Sequence, residues 1–340
     1  MADVVIVVGT KRGKESVPVL EIKQMVGRAG RKHGGEAALA NVIVEEDRIE
    51  DIRAGLEKGQ NMDVRSSFGE TDGLLFHLMP EIVSGKVEDV ITAIRWFKRS
   101  LAASQGRKVN FGKLFDKLEV VGAIRRVPGD MVRATRVGMI AADLYFHPED
   151  IQSWKNNFTK LFELGMENDN AAIAWALGTR NQGKSQGDFG DHRFVMSEYK
   201  SALPMGLDAE PGTIIQTTLW WCLMGGPPVG KMRNQMLELK EDIGRIKRAL
   251  IRLDKEDAGW NRGMFFDDME LMVRKAISIP LVDLCKLPGM TKGRADYLYN
   301  VGARDAESIA DVFPNIEDDI DESFKELLRG IIDGVSRKSG

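Results

Sequence analysis

Gln24-Met25-Val26-Gly27-Arg28-Ala29-Gly30-Arg31 is the stretch that decides how this chain is read. Two arginines three residues apart, with small residues between them, fall near one face of a helix start. Small residues let a backbone approach a partner surface closely. Two fixed guanidinium forks in such a place suit a polyphosphate. By spacing alone an R-x-x-R pair is more often a basic helix end with satisfied surface arginines than a phosphate site. Its flanks narrow the choice. Residues 3–8, Asp-Val-Val-Ile-Val-Val, bounded by Gly9, have the β-branched composition of a buried parallel strand. A polar loop covers 9–20, the pattern over 21–31 is helical, and 37–44 (AALANVIV) reads as a second buried strand. A strand–helix–strand piece of this size is too short to be a domain. It is expected to be the end of an α/β domain whose other strands this chain does not carry.

Composition bounds the rest. A length of 340 residues suggests two or three domains. Hydrophobic content of 43% beside 29% charged residues excludes wholesale disorder. No apolar run approaches the ~18–20 residues of a membrane span, and the first residues lack the basic start of a signal peptide. Two cysteines, Cys222 and Cys285, exclude a disulfide framework and a multi-cysteine zinc site, and fit a reducing compartment. A cytoplasmic protein is therefore expected. The histidines, His33, His77, His147 and His192, lack metal-ligand spacing. The net charge of −3, from 48 basic and 51 acidic residues, averages basic segments against acidic ones such as 317–322 (EDDIDE).

The chain changes character several times. Residues 45–70 are charged and Gly-punctuated, as in a linker with a surface helix. Apolar spacings of three and four predict helices at 72–84, 88–103 and 110–121. A hairpin follows, with Pro128-Gly129-Asp130 at its turn. Three helices and a hairpin in that order is the layout of a winged helix, with Leu114, Leu118 and Val121 as core positions. Residues 137–178 read as helical with a break at 145–148. A Gly-rich polar loop occupies 181–192, helix returns at 211–224, and a long helix is expected from about Val229 to Lys255 after Pro227-Pro228. Residues 267–278 form a further helix. Residues 279–336 are expected to be a compact unit of short helices. The predicted fold class is mostly α and multidomain, with a short α/β piece at the front.

The octet and its context resemble motif VI of superfamily-two helicases of the Ski-like branch, which includes archaeal DNA-repair helicases and the helicase part of polymerase theta. The resemblance runs through nearly the whole chain, most clearly at 22–44 and 281–312. It implies that 1–48 is the C-terminal remnant of a second RecA-like domain, 49–70 a linker, 71–136 a winged helix, 137–278 a helical ratchet bundle and 279–340 a helix-hairpin-helix. It also implies that Gln24 senses a γ-phosphate and that Arg28 and Arg31 stabilise phosphoryl transfer as arginine fingers.

The departures matter as much. The resemblance leaves the Walker A loop and the DExH box outside this chain. Gly9-Thr10-Lys11-Arg12-Gly13-Lys14-Glu15-Ser16 follows a strand, but three residues rather than four separate its glycines, and Glu15 stands where a Mg²⁺-binding hydroxyl belongs. It is expected to be a strand-to-loop turn. ATP and Mg²⁺ are thus expected only through a partner chain carrying Walker A and DExH motifs. No ATP hydrolysis is expected from this chain alone.

Two regions are expected to meet single-stranded or forked DNA. The long helix matches the family's ratchet helix, and Arg233, Lys240 and Lys247, with Lys231 just before it, lie on about one stripe. A basic stripe tracks a phosphate backbone. Glu238, Glu241 and Asp242 could equally make it a solvated face of acid–base pairs. The family's base-stacking aromatic in this helix has no counterpart here, and Trp220, Trp221 and Trp260 are expected in the core. The second region, Leu287-Pro288-Gly289-Met290-Thr291-Lys292-Gly293-Arg294-Ala295, resembles a helix-hairpin-helix. Gly289 and Gly293 allow a tight hairpin. Thr291, Lys292 and Arg294 stand at the next helix start, where backbone N–H groups can hold a phosphate. The alternative function is a non-catalytic DNA-binding or helicase-inhibiting protein derived from a helicase tail.

Overall fold

A computed structural model describes residues 4–12, 15–29, 39–57, 66, 68, 71–180, 193–227 and 233–337. The chain separates into two compact units, 1–66 and 67–340. It is mostly helical.

In the first unit, β1 (Val4–Val8) pairs in parallel with a later strand, Leu39–Ile43, in register from Val4 with Leu39 to Val8 with Ile43. Between them lie a short hairpin of β2 (Lys11–Arg12) and β3 (Glu15–Ser16) and then helix α1 (Val19–Val26). The later strand is β4 (Leu39–Ile43), followed by α2 (Ile49–Glu57). The hairpin occupies part of the expected strand-to-loop turn; residues 13–14 lie outside the described residues. The buried Thr10 hydroxyl donates to Glu45 Oε2 at 2.7 Å, and Arg48 Nη1 donates to the Thr10 carbonyl at 2.7 Å. These bonds tie the end of β1 to the end of β4.

The expectation of two buried strands needs correction. One face of the pair carries Val5, Val7, Ala40 and Val42, and packs towards a small core of Val17, Ile22 and Ile52. The other face, with Val4, Ile6, Val8, Leu39 and Ile43, is solvent-exposed; Val8 reaches 75% exposure and Ile6 59%. A β-branched run signals a strand that suits burial on both sides. It does not say whether the same chain provides the second cover.

In the second unit, one continuous core runs from Leu74 to Leu328. Its first part comprises α3 (Thr71–Val83), α4 (Val90–Phe97), α5 (Leu101–Ser104), α6 (Phe111–Val120) and the antiparallel hairpin of β5 (Ile124–Val127) and β6 (Met131–Ala134). The helix expected over 88–103 is broken in two. Ser100 accepts from the Ala103 N–H and starts α5 afresh. The start of α4 is fixed by a capping box between Asp89 and Thr92. Leu114 and Leu118 are buried in this core.

Next come α7 (Arg136–Leu144), α8 (Pro148–Glu163) and α9 (Asn170–Leu177). Gly138 of α7 sits so close to the hairpin that an added Cβ would lie 2.1 Å from the Ala123 carbonyl oxygen. Tyr145 ends α7 in the left-handed conformation, and Pro148 opens α8 at a position where its missing N–H costs nothing.

Helix α10 (Arg193–Ala202) was not foreseen by periodicity; of its residues only Tyr199 is fully buried. The remainder is α11 (Ile214–Leu223), the long α12 (Arg233–Leu253), a π-helical turn at 254–258, α13 (Gly263–Lys275), α14 (Val282–Lys286), α15 (Lys292–Asn300), α16 (Ala306–Ile316) and α17 (Glu322–Ser336). Leu239, Ile243, Ile246, Leu250 and Leu253 form the buried stripe of α12. Asp254 stops it: its buried carboxylate accepts from the N–H groups of Asn261 (2.6 Å) and Arg262 (2.8 Å). Trp220 is fully buried, and Trp221 and Trp260 pack on the core. No described helix is long and apolar enough to cross a membrane.

Candidate arginine site and nucleic-acid interface

The sequence-predicted residues fall into three places. In the first unit, Gln24 lies in the last turn of α1 and Arg28 just beyond it, both exposed. The helix unwinds through turn bonds, with Gly27 N–H donating to Lys23 O at 2.9 Å and Arg28 N–H to Met25 O at 3.1 Å. A guanidinium just past a helix C-terminus is favoured by the dipole. Arg31 lies outside the described residues, as do His33, His192 and the 181–192 loop.

On α12, Arg233 opens the helix, and its side chain lies outside the described residues, as does all of Lys231. Lys240 is half-buried and Arg248 exposed. Lys247 departs from the expected stripe. Its Nζ is 3.0 Å from Asp267 Oδ1 and 2.5 Å from Glu270 Oε2, both on α13. Glu270 also accepts from Arg274 Nε at 2.6 Å. Burial would raise the Glu270 pKa, but hydrogen bonds from Lys247 and Arg274 outweigh it and hold the carboxyl below its ordinary value. The same bonds, from Glu270 first and Asp267 second, raise Lys247. In this structure Lys247 is thus paired with two carboxylates of a different helix. Other cations of α12 are similarly engaged. Arg252 pairs with Glu256 and with Asp143 of α7, each at 2.8 Å. Arg245 stacks 4.3 Å above the Phe146 ring and pairs with Asp242 at 3.0 Å.

In the terminal module, Leu287-Pro288-Gly289-Met290 forms a tight turn, with Met290 N–H donating to Leu287 O at 3.2 Å. Pro at the second position and Gly289 at φ +72° in the third are what a type II turn requires. Thr291 then caps α15, its hydroxyl accepting from Arg294 N–H at 3.4 Å. The N–H groups of Lys292 and Gly293 open the helix without intrahelical acceptors. A Cβ at Gly293 would meet nothing within 4 Å, so the space before this turn is open. The cationic side chains brace the module. Lys292 Nζ donates to Ala276 O at 2.9 Å; Arg294 donates to Ser323 Oγ at 2.8 Å and lies 4.9 Å over the Phe324 ring. Sequence reasoning missed Lys275, whose Nζ donates to both Cys285 O (2.8 Å) and Met290 O (2.9 Å) and fastens the turn from below. Its position in the last turn of α13 carries no signal of that role. Among the described residues no cluster of His, Cys, Asp or Glu is arranged to hold a metal ion.

No protein-family model matches the chain. Over 370 aligned positions it is 21% identical to the ATP-dependent DNA helicase Hel308 of Pyrococcus horikoshii, covering 96% of this chain and 48% of the relative. It is 31% identical over 148 residues to Hel308 of Pyrobaculum calidifontis, covering 40% of this chain and 20% of the relative. With Hel308 of Caldivirga maquilingensis the identity is 27% over 146 residues, covering 39% and 19%. The chain is thus distantly homologous to archaeal Hel308 DNA helicases, and spans about half their length or less.

Proposed function

We propose that this chain is a helicase-related nucleic-acid-binding protein that works as the C-terminal portion of a Ski-like superfamily-two helicase. The observation that carries the reading is the similarity to DNA helicases through 96% of the chain. In this reading α3 to α6 with the β5–β6 hairpin form a winged helix, α7 to α13 a ratchet-like bundle, and α14 to α17 a helix-hairpin-helix. The open N–H groups of Lys292 and Gly293, with Thr291, Arg294 and the Gly289 turn behind them, hold a strand phosphate. Lys231, Arg233 and Lys240 follow the backbone of a single strand, while Lys247 braces α12 against α13.

Gln24, Arg28 and Arg31 act in trans on ATP and Mg²⁺ held by a motor partner that carries the Walker A and DExH motifs. There the arginines stabilise charge developing on the transferred phosphoryl oxygens, and Gln24 reports the γ-phosphate. The exposed position of Gln24 and Arg28 and the uncovered apolar face of β1 and β4 support docking of such a partner beside α1.

The test has two parts. Single-strand binding, measured by fluorescence anisotropy, should weaken steeply with salt; a flat profile overturns the nucleic-acid reading. A motor partner mixed with this chain should gain ATPase activity that Arg28→Ala and Arg31→Ala each abolish. Full ATPase in those variants refutes the trans-finger role. Inhibition of a motor with no gain of ATPase would instead identify a decoy.

A further inference from the structure

Helix α8 carries one face of unusual composition. Ile151, Trp154, Phe158 and Leu161 form its buried stripe. On another face stand Gln152, Ser153, Asn156 and Asn157, which line a cleft of about 450 Å³. Ser and Asn are poor residues for a helix interior, where surface positions ordinarily take Lys, Glu or Ala. Asn157 has an internal task, since its Nδ2 donates towards Ala176 O (3.4 Å) and Gly178 O (3.3 Å) at the end of α9. Gln152 and Asn156 bond to each other, Nε2 to Oδ1 at 2.8 Å. Whichever way the two amides face, that bond leaves at least one donor and one acceptor side by side for the cleft.

The opposite wall completes a recognisable chemistry. Trp175 is half-buried and held in place by its indole N–H, which donates to Asp208 O at 2.9 Å. Thr179 is 2% exposed, and its hydroxyl oxygen has no hydrogen-bond partner among the described residues. A buried hydroxyl without a partner is costly, and this one belongs to a residue lining the cleft. The charges select further. Asp208 and the Arg180–Glu210 pair (2.6 Å) line the cleft, with Glu149 paired to Lys117 at 3.0 Å. Carboxylates outnumber cations there, so a phosphate is disfavoured while a flat, neutral group with N–H donors is welcome.

We propose that this cleft takes an unpaired nucleobase splayed out of a bound single strand. The base packs beside Trp175, sharing its ring with Lys160, whose Nζ lies 5.5 Å from the centroid, and its edge is met by the Gln152–Asn156 amides and the Thr179 hydroxyl. The strand's phosphates remain outside. The cleft has room for one base. The inference rests on the nucleic-acid reading above and adds a base-contacting site to it.

The experiment compares the affinity of the full chain for a single-stranded oligonucleotide with its affinity for the same strand carrying abasic sites at its centre. The intact strand is expected to bind about fivefold or more tightly. Gln152→Ala with Asn156→Ala should bring that ratio near one while the abasic affinity stays the same. Thr179→Val keeps the shape of a buried residue and removes only the hydroxyl, so it should lower the ratio in a chain of undiminished thermal stability. Equal binding of both strands by the unaltered chain overturns the proposal and leaves the nucleic-acid reading standing. So does an unchanged ratio in all the variants, which is also the result expected if the amides serve a peptide backbone. Failure to bind either strand overturns both.

Discussion

Lys247→Met separates a brace from a phosphate contact. Methionine keeps the unbranched stem and removes the ammonium. Lys247 and Glu270 expose only 22% and 16% of their side chains, so the pair lies between a surface bridge and a buried one. Exposed pairs contribute about 0–1 kcal/mol, whereas breaking a buried pair costs about 3–5 kcal/mol. Arg274 keeps its hold on Glu270 at 2.6 Å, so the remaining carboxylate is not orphaned. The expected loss is therefore about 1.5 kcal/mol, or roughly 3–6 °C in the unfolding midpoint of a domain this large. A double-mutant cycle with Glu270→Gln should recover a coupling of about 1 kcal/mol. Thermal and urea unfolding followed by circular dichroism measure these quantities. In parallel, single-strand affinity is measured at several salt concentrations. A brace leaves the log–log salt slope unchanged. A phosphate contact would reduce it by about 0.7. An unchanged unfolding midpoint together with a flatter salt slope would refute the bracing argument.

Four further outcomes follow from the geometry. Gly178→Ala places a Cβ 2.2 Å from Thr217 Cγ2 and should destabilise the second unit by about 2 kcal/mol; Thr217→Ser, which deletes that methyl and keeps the hydroxyl, should restore part of it in the same unfolding assay. Asp254→Ala leaves the Asn261 and Arg262 N–H groups without their acceptor and should cost about 2–4 kcal/mol. Glu256 and Glu270 bind protons less tightly folded than unfolded, through Arg252 in the first case and, against the opposing effect of burial, through Lys247 and Arg274 in the second. Their contribution is complete at neutral pH and lost as pH falls from the ordinary value of 4.5 through the lower folded values, so the Glu270→Gln variant should lose less stability on acidification than the unaltered chain. Burial pushes the Cys222 thiol up to about 12 and raises Cys285, so neither should react quickly with a thiol reagent near neutral pH until the chain is unfolded.

Periodicity located the elements whose one face is consistently apolar. The long α12, the α6 stripe of Leu114 and Leu118, and the β5–β6 hairpin around Pro128-Gly129-Asp130 were all legible, because each records its own burial in its own residues. Helix α10 was not, since it commits only Tyr199 fully to the core and its surroundings are polar. The pairing of Lys247 was hidden for a related reason. Spacing puts Arg233, Lys240 and Lys247 on one stripe, but Asp267 and Glu270 reach Lys247 from another helix, and no local pattern announces what a stripe faces. Strand 4–8 shows the same limit: its composition states what cover it needs, and the source of that cover lies beyond the segment. The turn at Gly289 was the most legible part of the candidate site, because a positive φ after proline narrows the residue choice to glycine. Lys275, which fastens that turn, leaves no trace at all.

The bare face of β1 and β4 has a colloidal consequence. Val4–Val8 is a five-residue run of β-branched side chains with no charge and no proline, and among the described residues it pairs with β4 alone. That leaves an unpaired ladder of N–H and C=O groups beside a greasy plane. Such strands recruit further strands, and stacking like on like is the first step towards a fibril. A pool of chains lacking cover over this plane is therefore the pool at risk of precipitating.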